Sequence, residues 1–156
     1  MYRILFVCAG DTCRSPMAST LFNHKVRELN ISGVRSSSAG LSVEYESKIV
    51  DNSKLALKDF GVKRVCGTPT QITSAHLAEN NIIICATEDY KEALIVAVAE
   101  KFRDKIYCFK DFCGIDIYDP YGMGLESYKK CLKQIDMGLD KILGVLLGNG
   151  IAKYKK

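Results

Sequence analysis

Apolar positions along this chain switch between two spacings. Ile4-Leu5-Phe6-Val7 is an unbroken, β-prone run, which predicts a buried strand. Met17, Leu21, Phe22, Val26 and Leu29 then recur at helical spacing and predict a helix of roughly four turns, from Pro16 to near Asn30. After Gly33, Val34 to Ser38 reads as a polar second strand running out through Ala39-Gly40, and Leu41 to Ser47 has no period and reads as loop. A helix is expected over Ile49 to Phe60, with Gly61 where a C-terminal cap belongs. Val62 to Ile72 carries little signal beyond a short extended piece, and Thr73 is placed to cap a brief helix ending near Glu79.

The second half is plainer. Asn81-Ile82-Ile83-Ile84-Cys85-Ala86 is a continuous apolar strand, as in a parallel sheet covered on both faces. Thr87 caps a predicted helix from Glu88 to about Lys101, whose first-turn Glu88 and Asp89 suit the helix dipole. Lys105 to Phe109 reads as a fourth strand, Asp116 to Gly122 as a loop, and Leu125 to Leu147 as a long last helix weakened locally by Gly138 and Gly144. Alternating strands and helices, joined by crossovers long enough to be right-handed, predict an α/β fold: a four-stranded parallel sheet with helices on both faces, flavodoxin-like. The 156 residues are expected to form a single domain, 1–156.

Composition narrows the class. Hydrophobic residues make up 47% and charged residues 26%, as in an ordinary globular protein. A net charge of +4 is too mild for a nucleic-acid binder, and the basic Lys153-Tyr154-Lys155-Lys156 tail reads as a solvated, frayed end. No apolar run is long enough to span a membrane and no signal-peptide pattern precedes the first strand. Seven cysteines, an odd number in a chain without an export signal, point to free thiols in a reducing, cytoplasmic setting. None forms a C-x2-C pair and His24 and His76 lie far apart, so no metal site or cofactor is expected. Cys85 and Cys108, inside strand-like runs, read as small core residues.

The chemistry concentrates between the first strand and the first helix. Cys8-Ala9-Gly10-Asp11-Thr12-Cys13-Arg14-Ser15 joins a buried strand to a helix start, with Pro16 in the first turn. Backbone N–H groups of such a loop and of the helix N-terminus form an anion cradle. Cys8 and Arg14 stand at C-x5-R spacing within it. A thiol on the floor of an anion site is held as a nucleophilic thiolate, and an arginine closing the loop can grip two phosphate oxygens. The plain alternative, a buried cysteine and a surface arginine, leaves the loop's glycine and its helix start unexplained.

Val7 through Pro16 resembles the signature V-C-x-G-N-x-C-R-S-P of the low-molecular-weight protein tyrosine phosphatase family. Ser38-Ala39 and Asp119-Pro120-Tyr121 match two further family features in the right order, so the resemblance spans essentially the whole chain. It implies hydrolysis of phosphotyrosine through a cysteinyl-phosphate. Cys8 would be the nucleophile and Arg14 the phosphate clamp. The backbone of Ala9, Gly10, Asp11, Thr12 and Cys13 would hold the other oxygens, and Ser15 would donate to the thiolate. Asp119 would be the general acid and then base, and Tyr121 would wall the pocket. Many family members form a reversible disulfide between the equivalents of Cys8 and Cys13; a plain structural thiol at Cys13 is the alternative. The expected partner is a phosphorylated protein, with no nucleic acid and no membrane, and the expected assembly is a monomer or weak dimer.

Three positions depart from the family pattern. Asp11 stands where Asn is usual; a carboxylate there would repel a bound dianion and oppose ionisation of Cys8 unless it points away or is protonated. No His lies near Gly67, where many members have one supporting that Asn. Thr12 replaces the Ile or Leu common in tyrosine-specific members and matches the bacterial protein-arginine phosphatases, making phosphoarginine the alternative substrate. An arsenate reductase of the same fold would need two closely spaced cysteines after the third strand, and Cys85 and Cys108 do not supply them. A silent phospho-ligand module would have lost Cys8 or Asp119, and both are present.

Overall fold

A computed structural model describes every residue except Cys66. Four parallel strands form the central sheet: β1 (Tyr2–Cys8), β3 (Val34–Gly40), β4 (Ile82–Cys85) and β5 (Ile106–Cys108), in the order β3-β1-β4-β5. A two-residue strand, β2 (Ile31–Ser32), pairs antiparallel with β6 (Lys153–Tyr154) in a separate ribbon. The helices are α1 (Arg14–Glu28), α2 (Asp51–Lys58), α3 (Ser74–Glu79), α4 (Glu88–Ala97), α5 (Phe109–Cys113) and α6 (Leu125–Gly148). This is the flavodoxin-like architecture the alternation predicts. β1 is flanked by β3 on one side and β4 on the other, which places the topological switch, and the crevice that goes with it, at Cys8.

Strand side chains alternate between two cores. Ile4, Phe6, Ile82 and Ile84 face a large layer with Met17, Leu21 and Phe22 of α1 and Leu132, Ile135 and Leu139 of α6. Leu5, Val7, Ile83 and Cys85 face the opposite layer with Leu77 of α3 and Leu94 of α4. β1 is therefore rigid on both sides, and the loop it feeds starts from a fixed point.

Several expectations need correcting. The basic tail is not frayed: Lys155 N–H donates to Asn30 O at 2.8 Å and Lys153 pairs with Ser32. Ala152 just before it is fully buried, which anchors the turn into β6. The helix after Thr87 stops at Ala97, and residues Glu100–Lys105 form a 3-10 turn instead. Ile95, Val98 and Phe102 still reach the second core, so the helical spacing survives the break that it conceals. The strand expected to reach Phe109 ends at Cys108, and five residues wind into α5, started by Cys108 N–H donating to Asp111 Oδ2 at 2.9 Å and ended by Gly114 at φ +81°. Gly138 is more than a weak point in α6: a Cβ there would lie 2.5 Å from the Phe109 ring, so the glycine lets α5 seat against α6. The extended piece expected within Val62 to Ile72 is a single parallel bridge between Gln71 and Gly40; Cys66 lies outside the described residues.

Candidate active site

The loop from Cys8 to Arg14 takes its shape from what its carbonyls bind. Cys8 O accepts from Leu41 N, Ala9 O from Ser42 N, Thr12 O from Val50 N and Cys13 O from Met17 N, all at 2.9–3.1 Å. With the carbonyls pulled back, the N–H groups are left on the opposite, cleft side. None of the backbone N–H groups of residues 10–13 donates to a protein acceptor among the described residues. The tight turn is made at Asp11, φ +53°, a left-handed conformation that Asp and Asn tolerate better than most residues. Gly40, at the end of β3, passes so close that a Cβ would sit 2.9 Å from both Ala9 O and Asp11 N.

Cys8 Sγ is buried at the floor of a cleft of about 420 Å³. Ser15 Oγ lies 3.0 Å from it. Arg14 is 4% exposed and held on three sides. Its Nη1 donates to Ile117 O at 3.2 Å, its Nη2 donates to Tyr90 Oη at 2.8 Å, and Nη2 faces Asp119 Oδ2 at 3.4 Å. Burial works against the guanidinium charge, but the Tyr90 hydroxyl, with Cys8 and Asp119 nearby, outweighs it and fixes the arginine as a cation. Asp119 itself is exposed, and its Oδ1 accepts from Tyr121 N at 3.1 Å. Arginine and carboxylate thus meet over the thiol, although they arrive from opposite ends of the chain.

The structure brings Cys8, Ala9, Gly10, Thr12, Cys13, Arg14, Asp119 and Tyr121 to one cleft. Ser15 lies behind the thiol at hydrogen-bond distance, with either atom able to donate, and its hydroxyl also reaches Asp11. Asp11 differs: its side chain is buried and turned away from the cleft, with Oδ1 accepting from Ser15 Oγ at 2.7 Å and Oδ2 from Thr70 N at 3.0 Å. The Asp11 carboxylate is thus not part of the cleft lining and faces Ser15 and Thr70 instead. Burial raises the Asp11 carboxyl above the usual range, against the hydrogen bonds from Ser15, Thr70 and Ser38 and the nearby His76. That histidine comes from α3 rather than from near Gly67. Cys8 and Cys13 are free thiols, and Cys13 Sγ sits 3.5 Å from Tyr128 Oη and 3.6 Å from Thr12 Oγ1.

Two parts of the site escape a reading of the sequence. One wall comes from Ser42, Glu44, Ser47 and Lys48, in the stretch without a period. The other is Tyr90, whose ring lies under the Arg14 guanidinium at 5.1 Å besides bonding it. A first-turn residue on the helix after β4, the strand beside β1, opens onto the same crevice, and that was the available signal. Tyr90→Phe keeps the ring and removes the hydroxyl. We expect it to weaken inorganic-phosphate binding and lower turnover about tenfold, the scale of one hydrogen bond to a charged group. Calorimetric titration with phosphate checks this, and unchanged affinity would mean that Ile117 O and Asp119 hold Arg14 unaided.

Protein phosphatases are the class that this sheet and loop define. The family model of the low molecular weight phosphotyrosine protein phosphatases matches residues 3–153, and the chain belongs to that family of hydrolases. It is 31% identical over 144 residues to a protein-arginine-phosphatase of Geobacillus stearothermophilus, covering 90% of this chain and 93% of that one. To the low molecular weight phosphotyrosine protein phosphatase of Saccharomyces cerevisiae it is 28% identical over 141 residues, covering 85% and 87%. The crystal structure of a low molecular weight protein tyrosine phosphatase from T. tengcongensis superposes with a TM-score of 0.86 at 31% identity, over 94% of this chain and 100% of that one. Among the described residues no helix is long and apolar enough to cross a membrane.

Proposed function

We propose that the protein removes phosphate from phosphoarginine in protein substrates through a cysteinyl-phosphate intermediate. The observation that carries the chemistry is the convergence of Cys8, Arg14 and Asp119 on one cleft. The phosphoryl group enters between the Arg14 guanidinium and the loop N–H groups, which match its spreading charge as it transfers. Cys8 Sγ forms the S–P bond as the bond to the leaving atom breaks, and Asp119, in its protonated form once the phosphoryl group has taken its place on Arg14, gives that atom its proton. Arg14, once gripping phosphate, no longer needs the carboxylate, and Asp119 is released toward the leaving group. Water then attacks phosphorus, Asp119 takes its proton, and the thiolate returns as phosphate departs.

Thr12 favours the phosphoarginine reading over phosphotyrosine. A hydroxyl-bearing residue, it lines the cleft where an aliphatic side chain would grip an aryl ring, and the neighbouring wall of Ser42, Glu44, Ser47 and Lys48 is polar. Similarity to the Geobacillus protein-arginine-phosphatase adds support. Phosphotyrosine is kept as a second reading by one residue, Tyr121, whose ring stands 71% exposed at the mouth and can flank an aromatic substrate. Parallel turnover of matched phosphoarginyl and phosphotyrosyl peptides is the test. We expect the phosphoarginyl peptide to be preferred and Thr12→Ile to reverse the order, by about 10–100-fold in the ratio of kcat/KM values. A phosphotyrosyl preference that Thr12→Ile leaves unchanged would overturn the assignment.

A further inference from the structure

Ser15 Oγ has one proton and three neighbours able to accept it: Asp11 Oδ1 at 2.7 Å, Cys8 Sγ at 3.0 Å and Ala39 O at 3.4 Å. A hydroxyl can donate to only one of them fully. Both side chains that compete are buried, so water cannot supply a second donor freely. Thr70 N–H orders the rest of the geometry: Oδ2 of Asp11 accepts from it, which favours Oδ1, facing Ser15, as the place for a proton on the carboxyl.

Two proton arrangements satisfy these contacts. With Asp11 ionised, Ser15 donates to the carboxylate and turns a lone pair to Cys8, which then keeps its own proton and donates S–H to Oγ. With Asp11 protonated, its O–H donates to Ser15 Oγ, and Ser15 donates to the Cys8 thiolate. Interconverting the two moves one proton from sulfur to the hydroxyl as another passes from the hydroxyl to the carboxylate, so the trio carries one negative charge throughout. We propose that Asp11 is a positioning residue for the Cys8 nucleophile, acting through Ser15: it directs the single hydroxyl proton, and Cys8 is held as thiolate only while Asp11 keeps its own proton. This rests on Cys8 being the nucleophile.

The surroundings fit. Burial raises the Asp11 carboxyl toward the thiol's range, while hydrogen bonds from Ser15, Thr70 and Ser38 and the nearby His76 favour the carboxylate and keep the ionised arrangement in competition. His76 from α3 and the Ser38 hydroxyl from β3 face Asp11; Arg14 of α1, Cys85 of β4 and Cys131 of α6 face Cys8. Burial pushes Cys85 and Cys131 up to about 12, so both stay neutral thiols across the working range. Asn at this position would be read differently. Thr70 N–H would fix its Oδ1, leaving Nδ2 to donate permanently to Ser15 Oγ and freeing the serine proton for sulfur.

Alkylation of Cys8 by iodoacetamide, followed on the Cys8 peptide by mass spectrometry across pH, tests this directly. Asp11→Asn keeps a residue that tolerates the left-handed turn, so the loop is retained. We expect its alkylation profile to move to lower pH by about one to two pH units, the scale of a hydrogen bond to a charged group. In a Ser15→Ala background the same substitution should leave the profile nearly where Ser15→Ala alone puts it. A shift of equal size in both backgrounds would mean a through-space charge effect and overturn the proposal, as would no shift in the first. Alkylation does not require turnover, so a wild-type protein inactive on every phospho-substrate would sink the phosphatase reading without deciding this one.

Discussion

Cys8→Ser is expected to abolish hydrolysis of p-nitrophenyl phosphate while leaving the cradle able to bind phosphate. The loss should be on the order of 10⁴-fold or more, the scale on which removal of a nucleophile is felt in covalent enzymes. The reason lies in what the site can ionise. An anion cradle with an arginine 4% exposed stabilises a thiolate, but a serine hydroxyl in the same place stays protonated and is a poor nucleophile at neutral pH. Shape is nearly conserved, so Ser15, Arg14 and the carbonyl bonds from Leu41, Ser42 and Val50 should hold. Steady-state assay paired with calorimetric titration by inorganic phosphate separates the two effects. Measurable turnover in Cys8→Ser would place the nucleophile elsewhere; lost phosphate binding would show that the substitution had collapsed the loop instead.

Asp119→Asn should cost about 10² to 10⁴-fold, and its size should track the leaving group. A phenol that leaves poorly needs the proton that Asn cannot give, whereas p-nitrophenolate departs largely unaided. With p-nitrophenyl phosphate the first step should therefore survive better than the second, in which water must still lose a proton. Rapid mixing should then reveal a burst of p-nitrophenol, approaching one per enzyme molecule, followed by slow release of phosphate. Equal losses for good and poor leaving groups, with no burst, would remove Asp119 from proton transfer. Its remaining role would be the contact with Arg14 seen at 3.4 Å.

How far the sequence could be read depended on how local each feature is. The path from β1 through the Cys8 loop into α1 needs only neighbours in sequence: an apolar run, a turn and a helix with a clear period. β4 and α6 are legible for the same reason. By contrast, the β2–β6 ribbon joins residues 31 and 154, and neither two-residue strand has a pattern of its own. α5 is too short to show a helical period, and its cap is a local bond from Cys108 to Asp111 that composition does not announce. In the site, Cys8, Arg14 and Asp119 stand out by type and spacing, but Tyr90 looks like any exposed-face tyrosine until β4 is set beside β1. Asp11 was visible as an oddity; that it turns inward to Ser15 and Thr70 depends on a segment 59 residues further on.

The stretch from Leu41 to Val50 does two things with separate parts of the same residues. Its main chain, pinned further by Val43 N–H to Gln71 Oε1 at 2.9 Å and by Gln71 Nε2 to Leu41 O at 2.8 Å, draws back the carbonyls of the phosphate loop. The side chains of Ser42, Glu44, Ser47 and Lys48 meanwhile line the mouth where the rest of a substrate would lie. Backbone bonds do not depend on side-chain identity, so substitutions at these four positions leave the hydrogen bonds that shape the Cys8 loop in place. Substrate preference can drift in evolution, or be redirected by engineering, while the chemical step is inherited intact.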